Sequence, residues 1–320
     1  MLDNLIFSLN ATIPIFLMMV IGYFLKRIGL IDEKGAGTIN RLVFRLFLPA
    51  MLFKDIAEQN FSEVWDNKFV LFCSVSTFLS IMIALVLARF FCKDKSGVGE
   101  YVQASYRSAT ATLGIAFMTN IYSSVSMMAL TIVGAVPIYN IAAVLLLSLT
   151  APSDADQEKK STSVLIKETA FNLITNPIIL SIALGIIWSL LKLPMFPILH
   201  KPVTYLASVA SPLALIGLGA SFEFSDLKDS LREVISININ KLFLFSLLFL
   251  PLAVKLGFRD EKIVAALIML GSATTSSSFI MAKNMGHKGV ISGSAVMTTT
   301  LFSAFTLTFW LFILKTMGFI

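Results

Sequence analysis

The stretch Pro14–Gly22, PIFLMMVIG, recurs in the second half of the chain as Pro177–Gly185, PIILSIALG. Both copies begin with proline, end with glycine and are almost entirely apolar between those residues. Pro49 and Pro212 are separated by the same number of residues. Three proline or glycine pairs in one register indicate an internal duplication of the chain.

A second correspondence has a separation that is one residue larger. Ser108–Thr112, SATAT, matches Ser272–Ser276, SATTS, and Asn120 and Asn284 follow at the same separation. Single matches arise easily by chance, because proline and glycine are frequent in membrane helices. The two correspondences together favour a true repeat.

The composition is that of an integral membrane protein. Of the 320 residues, 57% are hydrophobic and only 14% are charged, against about 25% charged in soluble domains. A soluble enzyme, a nucleic-acid-binding module and a disordered scaffold are therefore excluded. A membrane helix needs about 20 mainly apolar residues. The chain offers ten such spans: 5–25, 37–56, 68–92, 101–121, 125–150, 164–191, 202–223, 234–256, 262–284 and 289–317.

One polar linker, residues 151–163, divides these spans into two sets of five. The predicted organisation is a first five-helix repeat in residues 1–150, a cytoplasmic linker and a second repeat in residues 164–320. Because each half holds an odd number of spans, the second enters the membrane upside down. We therefore predict an all-α integral membrane protein of ten transmembrane helices in two inverted five-helix repeats.

The lysines and arginines predict the orientation. Most of the 25 lie in the odd-numbered loops or the span ends beside them, and the N-terminal tail has none. Arg107 and Lys241 are counted with these loops; for Arg107, which opens span 4 at the cytoplasmic face, attraction of the substrate is the alternative role. Because lysine and arginine accumulate in cytoplasmic loops, we expect these loops in the cytoplasm and both termini outside.

Polar residues within the membrane concentrate in spans 4 and 9. Clustered hydroxyl residues are poor helix formers, and serine and threonine can satisfy backbone groups freed by a break. We therefore predict that both spans are discontinuous helices. The candidate substrate-binding residues are Ser108, Thr110, Thr112, Gly114 and Asn120 in span 4, Ser272, Thr274, Thr275, Ser276 and Ser277 in span 9, and Asn176 in span 6.

Two breaks would bring half-helix N-termini together at mid-membrane. Helix N-termini carry partial positive charge and free N–H donors, so such a site favours an anionic group such as a carboxylate. Close helix packing is an alternative role for the same small residues. The prolines Pro14, Pro49, Pro177 and Pro212 are predicted to kink their spans.

The acidic residues fall in loops or at span ends. This placement argues against a proton or sodium antiporter built on buried aspartates. The spacing of histidine, cysteine and carboxylate residues also offers no catalytic set and no metal site. The sequence therefore predicts neither an enzyme nor a cofactor, and no nucleic-acid partner.

Several stretches resemble the auxin efflux carrier family in its short bacterial form. They are residues 13–32, 38–53, 176–194 and 208–222, with residues 279–286 also fitting the pattern of the ninth span. The resemblance implies a scaffold of spans 1, 2, 6 and 7 that forms a homodimer. It also implies a mobile transport domain, with spans 4 and 9 crossing at the substrate site. The implied function is secondary transport of a small organic anion by elevator-like alternating access, in the bacterial inner membrane.

The chain departs from the family pattern at that site. Where the fourth span usually reads like NTGFLGIPL, the asparagine is Ala109 and the proline is Ala116. In the ninth span the usual proline falls at Ala273 or Thr274, and the usual asparagine at Ser277. Two alternatives to anion transport stay open: a non-transporting sensor or degenerate member, and a sodium-coupled carrier of the bile-acid symporter type.

Overall fold

A computed structural model describes residues 2–58, 66–110, 114–122, 126–152, 175–221 and 230–320. These residues form helices and no strand, which confirms the all-α prediction for this part of the chain. The linker lies outside it from residue 153 onward. The helices are α1 (Leu2–Arg27), α2 (Glu33–Leu42), α3 (Leu48–Ala57), α4 (Asn67–Phe91), α5 (Lys95–Tyr106), α6 (Ile115–Tyr122), α7 (Ser126–Thr150), α8 (Pro177–Leu190), α9 (Pro197–Ser221), α10 (Leu231–Ile239), α11 (Phe245–Lys255), α12 (Glu261–Gly271), α13 (Ser277–Asn284) and α14 (Val290–Thr316).

Six helical stretches of the described chain are long and apolar enough to cross a membrane. They are Glu33–Ala57, Asn67–Phe91, Leu130–Thr150, Pro197–Ser221, Leu231–Lys255 and Val290–Thr316. These stretches coincide with predicted spans 2, 3, 5, 7, 8 and 10. The other predicted spans correspond to α1, to the shorter apolar helix α8, and to the interrupted pairs α5–α6 and α12–α13. The ten-helix inverted repeat stays a prediction.

The prolines take different positions in these helices. Pro14 and Pro212 lie inside α1 and α9. Pro49 follows the π-helical segment Val43–Phe47, which joins α2 to α3. The wider π-helical turn makes room for the proline ring and tolerates the hydrogen bond that proline cannot donate. Pro177 begins α8 instead of kinking a helix, because proline fits the first turn, where no intrahelical N–H bond is needed.

Glycines allow close contact between helices of the two halves. Gly22 in α1 lies against the backbone of α9, and a Cβ on Gly219 in α9 would collide with the Met19 carbonyl oxygen. Gly185 in α8 faces α3, where a Cβ would lie 3.1 Å from the Phe53 carbonyl oxygen. Predicted span 1 thus packs on span 7, and span 6 packs on span 2. In the predicted repeat, span 1 corresponds to span 6 and span 2 to span 7, so the two contacts are equivalent.

An ion pair joins Asp66, which precedes α4 and lies outside the predicted spans, to the start of α12. Lys262 donates to Asp66 Oδ2 over 2.6 Å, while Asp66 Oδ1 accepts the backbone N–H groups of Lys68 and Phe69 at the N-terminus of α4. The hydrogen bond from Lys262 is the main reason why the pKa of Asp66 lies below its ordinary value of 3.8.

Candidate functional site at the helix crossover

Predicted spans 4 and 9 are both interrupted, which confirms the expected breaks in the described residues. The backbone becomes extended at Arg107, after α5, and at Ser272, after α12. The two interruptions meet: the Ala109 N–H donates to the Ala273 carbonyl oxygen over 3.0 Å. These two alanines stand at or beside positions where the resembling family has asparagine and proline, so the crossing forms here without those residues.

Side chains satisfy the backbone groups that the breaks expose. Thr274 Oγ1 donates to the Ala104 carbonyl oxygen over 2.7 Å, and the Thr274 N–H donates to Thr299 Oγ1 over 3.0 Å. Gln103 Nε2 also donates to the Ser278 carbonyl oxygen over 2.9 Å and so joins α5 to the first turn of α13. An interrupted helix is tolerated at membrane depth when neighbouring side chains take over the lost hydrogen bonds. Hydroxyl and amide groups therefore stabilise this crossing.

A cavity of about 110 Å³ lies at the crossing, and we call it the crossover cavity. The interrupted segments contribute its polar wall, joined by polar residues of α7 and α14, and α3 and α9 contribute its apolar wall. The main lining residues are Arg107, Ser108, Ala109, Thr110, Ala273, Thr274, Thr275, Ser276 and Ser277 from the interruptions, Tyr139, Asn140 and Thr300, and Leu48, Met51, Leu52, Ser211 and Leu215.

Six of the predicted site residues line this cavity together: Ser108, Thr110, Thr274, Thr275, Ser276 and Ser277. Ser272 is fully buried in the break beside it. Gly114 is buried against Met128. Thr112 lies outside the described residues, as does the side chain of Asn120.

Asn176 lies apart from the crossover cavity. Its side chain accepts the backbone N–H of Ile178 over 2.9 Å and so caps the N-terminus of α8. An asparagine before a proline at a helix start is a typical capping pair. We therefore leave Asn176 out of the proposed site.

Arg107 does not lie at a cytoplasmic span end, and that prediction is wrong. Its side chain is buried, with 3% of its surface exposed, and lines the crossover cavity. Its Nη2 donates to Ser277 Oγ over 2.8 Å and to Asn140 Oδ1 over 2.9 Å. Its Nη1 contacts Met281 Sδ at 2.8 Å and Gln103 Oε1 at 3.4 Å. These partners are all uncharged.

Among the described residues, uncharged partners alone hold the Arg107 guanidinium in place. Asn140 Nδ2 donates to the Val136 carbonyl oxygen over 2.9 Å, which turns the Asn140 oxygen towards Arg107. Arg107 forms no ion pair with any described residue, and its buried Nε has no hydrogen-bond partner among them. An uncompensated buried cation is costly and usually functional in a membrane protein.

Lys241 is a second buried cation and a second correction. It lies in the π-helical segment Asn240–Leu244 between α10 and α11, and none of its surface is exposed. Its ammonium group donates to Ser108 Oγ through a short hydrogen bond, to the Leu270 carbonyl oxygen over 2.9 Å and to the Met269 carbonyl oxygen over 3.3 Å. Lys241 therefore lies directly behind a serine of the crossover cavity.

The sequence held a signal for both cations. Arg107 and Lys241 lie several residues inside predicted spans 101–121 and 234–256. A charge within a span usually marks a functional site. Because both residues were assigned to the neighbouring loops, this functional signal was missed. The remaining lysines and arginines still favour the odd-numbered loops as cytoplasmic.

Comparisons with known proteins agree on a membrane transporter. A family model described as "Membrane transport protein" matches residues 7–311. A protein named "Putative malonate transporter" from Rhizobium meliloti (strain 1021) is 26% identical over 316 residues, which cover 96% of this chain and 95% of that protein. An "Uncharacterized transporter" from Methanothermobacter thermautotrophicus is 21% identical over 304 residues, covering 95% and 97%.

A solved structure shares the fold. The sodium proton antiporter MjNhaP1 from Methanocaldococcus jannaschii superposes with a TM-score of 0.62, over 95% of this chain and 97% of that chain, at 14% sequence identity. At that identity the likeness concerns the fold alone. The family match covers nearly the whole chain, and the chain therefore belongs to this family of membrane transport proteins, the auxin efflux carrier-like family that its sequence resembles.

Proposed function

We propose that this protein is a secondary transporter of a small organic anion, a carboxylate, that works by elevator-like alternating access. The observation that carries the proposal is the buried guanidinium of Arg107 in the crossover cavity, with no acidic partner among the described residues. Within a membrane transporter, a substrate carboxylate is the natural compensating charge for such a group.

The chemistry around Arg107 fits a carboxylate. Arginine presents parallel N–H donors that match the two oxygens of a carboxylate, and charge-assisted pairs of this kind are strong. The N-terminus of α13 faces the same cavity through Ser276 and Ser277, and none of the described side chains caps it. Its partial positive charge and free N–H groups favour the same ligand.

The size of the cavity limits the ligand. A volume of about 110 Å³ corresponds to roughly four water molecules at about 30 Å³ each. That space suits an anion of a few heavy atoms. Together with the printed name of the Rhizobium meliloti relative, it makes malonate the first compound to test.

The position of the cavity supports a moving-domain mechanism. Leu48, Met51 and Leu215 belong to predicted scaffold spans 2 and 7, whereas Arg107 and Ser277 belong to predicted transport spans 4 and 9. A ligand at this boundary can be carried by one domain past the other. The inverted repeats, a homodimer through the scaffold and an inner-membrane location with both termini outside belong to the same proposal.

A larger, strongly basic cavity lies along the same helices, and we call it the basic vestibule. It has a volume of about 660 Å³ and is lined by four cations, Lys26, Arg41, Arg45 and Lys283, and by one acidic residue, Glu33. In α9, Leu215 faces the crossover cavity and Ala220 the vestibule, about 8 Å further along the helix axis. We infer that the vestibule is the cytoplasmic approach to the site, where positive potential concentrates anions.

Neutralising the basic vestibule should slow access of the anion to the crossover cavity without changing that cavity. In the double variant Arg41→Gln, Lys283→Gln we expect about a tenfold rise in KM for the anion at low salt, with kcat unchanged. The difference should shrink as salt screens the field. The matched control is Lys34→Gln, Arg89→Gln, which removes two exposed cations that do not line the vestibule. Equal KM values in the two double variants would remove the vestibule from the mechanism.

Transport of radiolabelled malonate into proteoliposomes tests the proposed function. The purified protein should show saturable uptake, accelerated by unlabelled malonate loaded on the opposite side, because a carrier exchanges its substrate across the membrane. Unlabelled mono- and dicarboxylates of two to five carbons serve as competitors and rank the substrates. If no carboxylate in that range is transported or competes, the function is not carboxylate transport.

A further inference from the structure

Among the described residues, the Lys241 ammonium group bonds to three oxygen acceptors. The acceptors are Ser108 Oγ and the carbonyl oxygens of Leu270 and Met269. Two of them belong to the last turn of α12, which ends at Gly271. Among the described residues, no carboxylate bonds to Lys241.

The hydrogen-bond pattern favours a protonated Lys241. Ser108 Oγ donates its only hydrogen to the Met269 carbonyl oxygen, so in its contact with Lys241 the serine oxygen is the acceptor. The two carbonyl oxygens also only accept. An ammonium group supplies three N–H donors for these three acceptors, whereas a neutral amine would turn its lone pair towards an oxygen.

The place that Lys241 occupies has the properties of a cation site. The C-terminal end of a helix carries partial negative charge, and α12 ends inside the protein, where water does not neutralise it. In transporters with broken helices, the exposed carbonyls of such half-helix ends commonly coordinate a coupling cation. Here the side chain of Lys241 reaches those carbonyls from the neighbouring helix.

We propose that the Lys241 ammonium group is a built-in cation of the crossover, which stands in for a coupling sodium ion and makes anion binding independent of sodium. The inference rests on the proposed function, because it concerns the same anion site. Ser108 connects the two, since it lines the crossover cavity on one side and accepts a hydrogen bond from Lys241 on the other. The fixed positive charge therefore supports the anion next to Arg107 in every transport cycle.

Sodium titration of the wild-type protein is the first test. Malonate affinity and the thermal unfolding temperature are measured in sodium chloride and in choline chloride at the same ionic strength. We expect the same values in both salts. Malonate binding that requires sodium, or a specific rise of the unfolding temperature with sodium, would overturn the proposal.

The variant Lys241→Ala is the second test. Removing the ammonium group leaves the carbonyls of Met269 and Leu270 and the Ser108 hydroxyl facing a space that a sodium ion can enter. We expect about a tenfold loss of malonate affinity in choline chloride, within the usual range of coupling between two sites, and recovery on adding sodium. The exposed residue Lys315 supplies the matched control, Lys315→Ala, which should behave as wild type in both salts. Full affinity of Lys241→Ala without sodium contradicts the proposal.

Two further measurements keep the outcome decisive. If Lys241→Ala does not fold, Lys241→Met keeps the length of the side chain without its charge; it should lose malonate affinity in both salts, and unchanged affinity would overturn the proposal.

If the wild type binds no carboxylate, the proposed function fails. The sodium response of unfolding in ligand-free wild type and Lys241→Ala still decides the role of Lys241: an unresponsive wild type with a responsive variant supports it, and any other combination overturns it.

Discussion

Replacing Arg107 by glutamine should reduce carboxylate affinity by about 10- to 150-fold and remove measurable transport at substrate concentrations near the wild-type KM. The reason is that hydrogen bonds to a charged group contribute about 1.5–3 kcal/mol each, and every 1.4 kcal/mol is a factor of ten in affinity. Glutamine keeps a polar side chain of intermediate size in the crossover cavity. It lacks the positive charge and the parallel donors of arginine.

The thermal stability of the Arg107→Gln variant should not fall with its malonate affinity. Arg107 is buried and forms no ion pair with the described residues, so its removal relieves the cost of burying a charge. We expect the ligand-free Arg107→Gln variant to unfold at a temperature equal to or above that of the wild type. Loss of malonate binding without loss of stability then separates a binding role from a purely structural one.

Two controls sharpen the Arg107 prediction. Arg107→Lys keeps the charge but loses the planar fork, so it should fall between wild type and Arg107→Gln. Arg232→Gln removes an arginine that bonds to the Phe90 carbonyl oxygen at the protein surface, and it should bind malonate as the wild type does. Wild-type affinity in Arg107→Gln would show that the anion binds elsewhere.

The sequence predicted the interrupted helices because their cause is local. Runs of serine, threonine and glycine are poor helix formers wherever they occur, and the breaks at Arg107 and Ser272 lie in those runs. The six predicted polar residues line the cavity because they lie in these two breaks, which the fold brings together. Partners from other helices, such as Asn140 and Tyr139, carry no local signal, since only the fold brings α7 to the crossing.

The depth of Arg107 was underestimated because the start of its span cannot be read accurately from hydropathy. The fourth span was predicted to start at residue 101, but α5 starts at Lys95. Arg107 therefore lies 12 residues, or about 18 Å, from the start of its helix, which is more than half of a hydrocarbon core of about 30 Å. Polar residues at the start of α5 extend the helix without adding hydropathy, so the charge was placed at the membrane surface.

The fixed contact between α1 and α9 gives the second large prediction, which concerns folding. Gly219→Ala should destabilise the protein by about 1–3 kcal/mol, the usual cost of overpacking a tight contact. The new Cβ would collide with the Met19 carbonyl oxygen, which is backbone and cannot rotate away as a side chain can. The two helices must then move apart along a contact that joins the two halves of the chain.

Gly37→Ala is the matched control, because the chemical change is the same and the surroundings differ. Gly37 lies in α2, and no atom would come within 4 Å of a Cβ at this position. Alanine should stabilise that helix by up to about 1 kcal/mol, since glycine is the poorer helix former. Thermal unfolding in detergent should therefore shift in opposite directions for the two variants. Equal shifts would mean that the contact between α1 and α9 tolerates a Cβ at Gly219 beside the Met19 carbonyl oxygen. Other contacts would then hold the two halves of the chain together.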